Sequence, residues 1–350
     1  MKKFALLIHT VGLRTGPALL FWTFLLMSTT PALALVVDVD DGQGEEGALD
    51  PPIGWSNVGR RIGGPSSLVY LGNRWVITAA HVGAGIVEIG DQRYDPVAGS
   101  PRILLNADGS EADLVLFQLA RDPEIPAIRV AERSPRIGQD VTLIGMGAMR
   151  GAPITIDSGK KLLDGFMWKA NSKRRWGTNR VAGPVGFVQH ADGHTAAFPL
   201  VFEPIDDPLS SAQEAVAGHG DSGGGVISLV DALRPELGWN LSGIMFSIQN
   251  PGKAPARSSL YGGVTLAADL ATYHEQINRI TGLGCAALGQ QELGEGIDFG
   301  SVADCAQSQS DPTRHLTQQS ALRWLWVPAI TLIIVAAALG WRAMRKHQSP

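Results

Sequence analysis

The chain has 350 residues, of which 45% are hydrophobic and 18% charged, with a formal charge of -4. That is enough apolar material for a sizeable core, in one large domain or two ordinary ones, and too little charge for a disordered chain. The lack of a basic excess excludes the electrostatic footprint of a nucleic-acid binder.

Residues 1–34 read as an export signal. Lys2 and Lys3 open it, Arg14 extends the basic region, residues 18–27 are an uncharged apolar run, and Ala32-Leu33-Ala34 supplies an A-x-A cleavage site. The run is short for a bilayer, which favours a cleaved leader over an anchor. Residues 35–52 are acidic and glycine-bearing and are expected to form a flexible lead-in.

From residue 53 to residue 283 the pattern is short apolar runs separated by Gly, Pro, Asn and Asp, the pattern of an all-β sandwich or barrel. Strands are expected at 68–70, 75–79, 86–89, 114–119, 141–144, 185–188, 224–229 and 241–246. Residues 160–180 are basic with Trp168 and Trp176 interleaved, and read as a solvated hairpin whose tryptophans anchor inward. Residues 267–280 space Leu270, Tyr273, Ile277 and Ile280 for one apolar helix face.

Residues 284–322 form a polar linker carrying the only cysteines, Cys285 and Cys305. Outside the cytoplasm a disulfide between them would stabilise by roughly 3 kcal/mol in the chain-entropy picture; two free thiols are the alternative. Residues 323–342 contain an uncharged run, 325–341, that spans roughly 25 Å as a helix. Trp324, Trp326 and Trp341 bracket it, and Arg342, Arg345 and Lys346 follow, so a single membrane anchor with a cytoplasmic tail over 343–350 is expected.

Three motifs in the central region carry chemistry. Gly218-His219-Gly220-Asp221-Ser222-Gly223-Gly224-Gly225 puts a serine on a tight, side-chain-poor turn where backbone N–H groups are free to bind a developing oxyanion. Trp75-Val76-Ile77-Thr78-Ala79-Ala80-His81 reads as a buried strand ending on a histidine, and Glu111-Ala112-Asp113-Leu114-Val115-Leu116-Phe117-Gln118-Leu119 puts an aspartate at the mouth of another. A serine hydroxyl needs a histidine to take its proton, and that histidine needs a carboxylate to fix its tautomer.

In the order His81, Asp113, Ser222 these motifs resemble those of the chymotrypsin-like (trypsin-fold) serine proteases. The resemblance covers about residues 53–283 and implies two packed six-stranded antiparallel barrels closed by a C-terminal helix. Leu143-Ile144-Gly145-Met146-Gly147 resembles the family's early second-barrel strand. On this basis Ser222 is the nucleophile, His81 the general base and then acid, and Asp113 the orienting carboxylate. The N–H groups of Gly220 and Ser222 form the oxyanion hole, the substrate is a protein or peptide, and the chemistry asks for no metal or organic cofactor.

The resemblance also places a substrate pocket around Val216, Ala217 and His219, with Phe246, Ser247, Ile248 and Gly263 on the opposite wall. Valine at the pocket floor argues against a preference for Arg or Lys. Glu214 is read as a solvated loop carboxylate, with entry into the pocket as the alternative. Phe246 falls where the family has a serine that supports the aspartate, unless the strand slips by one and Ser247 takes that place. Beyond this region, the C-terminal run loosely resembles bacterial sorting tails, which would add sorting machinery as a partner.

Two other readings are weighed. A non-catalytic binding module would be favoured by loss of a triad residue, and all three are present. A small-ester hydrolase is suggested by the bare Gly-x-Ser-x-Gly pattern around Ser222, but the triad order and the lack of alternating strands and helices oppose it. Arg61-Ile62-Gly63-Gly64 looks like the cut site that frees an amino terminus in related digestive proteases. Its 19-residue spacing to His81 is too short, so Asp221 is expected to find an internal partner, either an arginine or a set of backbone donors.

Overall fold

The computed structural model describes residues 35–38, 54–159, 161–170, 173–231 and 233–283. The export signal, most of the acidic lead-in, the cysteine pair and the apolar C-terminal run therefore lie outside the described residues. Among the described residues no helix is long and apolar enough to cross a membrane.

The described chain is mostly β, with one α-helix at its C-terminal end. In order the strands are β1 (Val36–Val37), β2 (Val58–Arg61), β3 (Leu68–Gly72), β4 (Trp75–Thr78), β5 (Val87–Ile89), β6 (Gln92–Tyr94), β7 (Arg102–Leu105) and β8 (Glu111–Gln118). There follow β9 (Asp140–Gly145), β10 (Met149–Asp157), β11 (Leu162–Lys169), β12 (Arg175–Arg180), β13 (Gly186–His190) and β14 (Gly193–Val201). The last are β15 (Ala215–Val216), β16 (Gly225–Leu229), β17 (Trp239–Gln249), β18 (Ser258–Leu260) and β19 (Val264–Asp269), before helix α1 (Leu270–Thr281).

One hydrogen-bonded path runs β12-β9-β16-β17-β19-β14-β8-β4-β3-β2-β5-β6. Each half of this path also carries an isolated bridge. In the first half, Pro96, just past β6, bridges Leu119, just past β8. In the second, Val181, just past β12, bridges Leu200 in β14. The halves meet in a parallel contact between Gly193 of β14 and Glu111 of β8.

The central strands are buried on both faces, which is why they read as near-continuous apolar runs. In β3, Leu68 and Tyr70 pack with Val76, Phe117 and Tyr94 inside the first half. The alternate residues Val69 and Leu71 face a shared cluster with Ile144, Ile227 and Ile244 of the second. Phe198, Leu200, Val141 and Leu143 fill the inside of the second half.

Helix α1 follows β19 without a loop. Asp269 caps it, its carboxylate accepting the Thr272 N–H at 3.2 Å, and Gly282 ends it at φ 72°. Leu270, Tyr273, Ile277 and Thr281 are buried, while Ile280 is only half-buried against the core. The helix starts later than periodicity suggests: residues 267–269 complete β19, because the strand ladder to β17 runs to Asp269 before the cap turns the chain.

Other expectations shift. Leu35, Val36 and Val37 are fully or almost fully buried and β1 pairs with β15, so these residues are not the flexible lead-in their acidic neighbours suggest. Strand β12 carries no apolar signal because its buried face is polar: the Asn179 amide donates to the carbonyls of Val201 and Ala215 and to Glu214. In the basic stretch both tryptophans are half-buried, Trp168 donating from Nε1 to Ser259 Oγ at 2.8 Å and Trp176 packing on the shared core.

Tyr273 ties the helix to both halves: its hydroxyl donates to Asn106 Oδ1 at 2.9 Å and accepts the Ala196 N–H at 3.0 Å. Tyr273→Phe removes both bonds at once, and the fall in the urea unfolding midpoint should correspond to about 1–3 kcal/mol. A change within error would show that the hydroxyl does not secure the helix.

Candidate active site

His81 lies three residues beyond β4, on a turn built from small residues. The Val82 and Gly83 N–H groups both return to the Ala79 carbonyl, at 3.0 and 3.3 Å. Strand β8 runs antiparallel beside β4 with Val115 opposite Thr78, so Asp113, two residues before Val115, stands past the end of β4. One carboxylate oxygen then meets His81 Nδ1 at 2.7 Å while the other accepts the His81 backbone N–H at 2.9 Å.

An ionised carboxylate only accepts, so Nδ1 carries the proton and Nε2 keeps its lone pair. Burial pushes the Asp113 carboxyl up, but the bonds from the His81 ring and backbone and the nearby charge outweigh it and hold the group below its ordinary value. The Asp113 bond in turn raises the His81 pKa above 6.5, against the opposing effect of burial.

Thr195 was not singled out by sequence. Its hydroxyl accepts the Asp113 N–H at 2.8 Å and lies 3.1 Å from His190 Nε2. A threonine near the start of β14 carries no motif, and only the approach of β14 to β8 reveals it. Among the described residues, neither Phe246 nor Ser247 hydrogen-bonds to Asp113.

Ser222 sits on a loop packed tightly against the first half. A Cβ on Gly223, at φ 91°, would stand 1.9 Å from the Ser67 carbonyl oxygen and 2.1 Å from Thr78 Oγ1. Buried Ser67, a second residue the sequence did not flag, binds the loop at two points. Its N–H donates to the Ser222 carbonyl at 2.8 Å and its hydroxyl to the Gly220 carbonyl at 2.9 Å. Its own carbonyl accepts Thr78 Oγ1 at 2.7 Å, three residues before His81. Through Ser67 the Ser222 loop is joined to the strand that carries the histidine.

Among the described residues the N–H groups of Gly220 and Ser222 make no hydrogen bond, and none joins the half-buried Ser222 hydroxyl to His81.

Asp221 has no exposure. One carboxylate oxygen accepts the Gly147 N–H and the other the Gly218 N–H, each at 2.8 Å, and the Leu35 N–H also donates to it. Burial, opposed by these three backbone donors, pushes its pKa up to about 7. The fit requires glycine: a Cβ on Gly147 would lie 2.4 Å from the Asp221 nitrogen. Arg61 is no part of this cradle, since it pairs with Val87 in the β2–β5 ladder.

The seven pocket residues fall in different environments. Val216 packs with Val36, Phe166 and Phe202, and Ala217 lies in the second-half core. His219 is exposed, Phe246 is buried in the shared core, and Ser247 and Ile248 are half-buried. Gly263 is buried, its carbonyl accepting the Phe202 N–H at 2.8 Å.

Glu214 is not solvated. It is fully buried, accepting from Asn179 Nδ2 and the Glu203 N–H on one oxygen and from the Ser211 N–H and hydroxyl on the other. Burial outweighs the Ser211 bonds and raises its pKa to about 8.

No protein-family model matches the chain. No curated protein matches it either. Solved structures do. The active form of the Rv3671c protease from M. tuberculosis is 15% identical, with 72% of this chain and 92% of that one covered at a TM-score of 0.41. Neuropsin, a serine protease of mouse brain, is 16% identical over 64% of this chain and 94% of its own, also at 0.41. Kallikrein-related peptidase 10 in complex with Zn2+ is 17% identical over 65% and 95%, at 0.40. The chain is thus similar, at low identity, to these serine proteases.

Two outcomes test the surroundings of the site. Thr195→Val leaves the Asp113 N–H without its acceptor and should lower stability by about 1–3 kcal/mol, with Thr195→Ser close to the parent in the same urea titration. For Glu214, the unfolded group titrates near 4.5 and the folded one near 8, so its contribution to stability is full below the first value and is lost as pH rises through the second. The urea midpoint should therefore fall between those two pH values, and Glu214→Gln should flatten the slope.

Proposed function

We propose that the chain is an exported serine endopeptidase that hydrolyses peptide bonds in protein or peptide substrates through His81, Asp113 and Ser222. The observation that carries this reading is the two-point grip of Asp113 on His81, which fixes the ring and leaves Nε2 as a base. The free N–H groups of Gly220 and Ser222 support the oxyanion hole, where each donor contributes about 3 kcal/mol to the transition state.

In this mechanism Ser222 Oγ attacks the scissile carbonyl carbon as His81 Nε2 takes its proton. The resulting imidazolium is stabilised by Asp113, and the carbonyl oxygen, now negative, is held by the two N–H groups. Collapse breaks the C–N bond, the leaving amine takes the proton from His81, and water repeats the sequence to release the acyl group.

The Pro96–Leu119 and Val181–Leu200 bridges support an architecture of two six-stranded antiparallel barrels with the site between them. The basic start and A-x-A site of residues 1–34 support export. The apolar run at 325–341 with its following basic residues supports a membrane anchor that leaves the protease region outside the cytoplasm. Sorting machinery is a further partner if the tail is cleaved.

A second reading, a non-catalytic binding module, is favoured by one observation: the Ser222 hydroxyl makes no hydrogen bond to His81. Such bonds often tighten only when substrate is bound.

A fluorophosphonate probe separates the two readings. Labelling of Ser222 that is lost in Ser222→Ala is expected; a parent chain that resists the probe would leave the binding module. Asp113→Asn should lower kcat/KM about ten-thousand-fold. His81 must be neutral to act as a base, so activity should rise with pH through a midpoint above 6.5, and Asp113→Asn should move that midpoint down.

A further inference from the structure

A cavity of about 540 Å³ lies between residues 129–140, which join the two halves, and the turn from β16 to β17. Strand β16 begins three residues after Ser222 and runs about 13 Å before its far end reaches this cavity at Leu229. None of His81, Asp113 and Ser222 lines it. Four arginines do. Arg234 is engaged by Asp231, with its Nε 3.1 Å from a carboxylate oxygen, and the lining Asp140 is engaged by Arg180 at 2.8 Å. Among the described residues the side chains of Arg129, Arg133 and Arg136 make no hydrogen bond or ion pair, and Glu132 is the lining carboxylate left to answer them.

These arginines stand on fixed backbone. Buried Val130 bridges Leu241: the Leu241 N–H donates to the Arg129 carbonyl at 2.8 Å, and the Ala131 N–H donates to the Leu241 carbonyl at 3.0 Å. Past Pro135 the chain turns tightly. The Gln139 N–H returns to the Arg136 carbonyl at 3.0 Å, Gly138 sits at φ 82°, and the Arg136 N–H donates to Gln139 Oε1 at 2.9 Å. The inner wall is polar. Asn240, only 7% exposed, accepts on Oδ1 from the hydroxyls of Ser228 at 3.1 Å and Ser242 at 2.9 Å. Its Nδ2 donates to nothing among the described residues, so a buried amide that lines the cavity has a hydrogen bond left to make. Pro135, Ile137 and Leu229 add apolar surface to the lining.

We propose that this cavity binds a small organic phosphate monoester, its phosphate held by Arg129, Arg133 and Arg136 and its body set against Pro135, Ile137 and Leu229. A phosphate monoester brings about 1.5–2 negative charges at neutral pH and three acceptor oxygens, where a carboxylate brings one charge and two. Guanidinium donors meet such oxygens two at a time, in a planar fork that loses little freedom on binding. Asn240 Nδ2 supplies a neutral donor beside them. The volume falls in the range of about 300–1,000 Å³ that small-molecule sites occupy. Glu132, Asp140 and Asp231 interrupt the positive surface, which disfavours a long polyanion that would have to pass them. The binding is non-covalent and does not depend on the hydrolase reading above.

The test is calorimetric titration of the full-length protein in detergent with phenyl phosphate, benzoate and long-chain polyphosphate. Phenyl phosphate should bind with a dissociation constant below about 1 mM, about tenfold more tightly than benzoate, and added salt should weaken it. Arg133→Gln and Arg136→Gln should each weaken it about tenfold. Neither side chain has a hydrogen-bonded or ionic partner to lose, so both variants should melt as the parent does. Arg279→Gln, at an exposed position in the last turn of α1, and Ser222→Ala should bind phenyl phosphate as the parent does. Failure of the parent to bind phenyl phosphate, or equal binding by the parent and both cavity variants, would overturn the site. Loss of binding in Ser222→Ala would overturn it by placing the anion at His81 and Ser222. A tighter hold on polyphosphate than on phenyl phosphate, at equal phosphate concentration, would overturn it by showing a diffuse positive surface in place of a cavity.

Discussion

A carboxylate with no access to water governs the loop on which the site depends. Asp221 lies between Gly220 and Ser222 in the chain, so whatever satisfies its charge also sets the direction of its neighbours' N–H groups. The satisfaction comes from three separate places in the chain: the turn after β9, the start of the same loop, and the residue before β1. Loop, strand end and amino-terminal segment are therefore coupled. A disturbance of any one of them reaches Ser222 through a single side chain.

Ser67 plays a comparable part on the other side of the loop with no charge at all. Its backbone and hydroxyl connect the Gly220 and Ser222 carbonyls, the Met146 N–H and Thr78. The two halves of the fold thus meet in hydrogen bonds as well as in apolar contact. Apolar contact resists separation but tolerates sliding, whereas directional bonds fix the serine loop against β3 and β4.

Much of this was legible in the sequence where one physical signal dominated. Strands buried on both faces, such as β3, β8 and β9, announce themselves as apolar runs, and the glycines around Ser222 announce a turn that no side chain can enter. The order of His81, Asp113 and Ser222 is readable because each sits on its own motif. The signal failed where burial was polar. Strand β12 hides Asn179 rather than a hydrophobe, Glu214 reads as a loop carboxylate until its donors are seen, and Thr195 is an ordinary strand residue until β14 meets β8. Leu35 fails for a related reason: its acidic followers suggest solvent, while residues 35–37 insert into the core.

The clasp formed by α1 has a consequence in time. Besides Tyr273, Gln276 accepts the Leu105 N–H at 2.8 Å and the Thr281 carbonyl accepts Asn73 Nδ2 at 3.0 Å, partners that lie 171 and 208 positions earlier in the chain. During vectorial synthesis, the first half is made long before the element that fastens it. The chain therefore passes through most of its own translation without its final latch. Contacts of such long range are slow to form, so the latch closes late in folding.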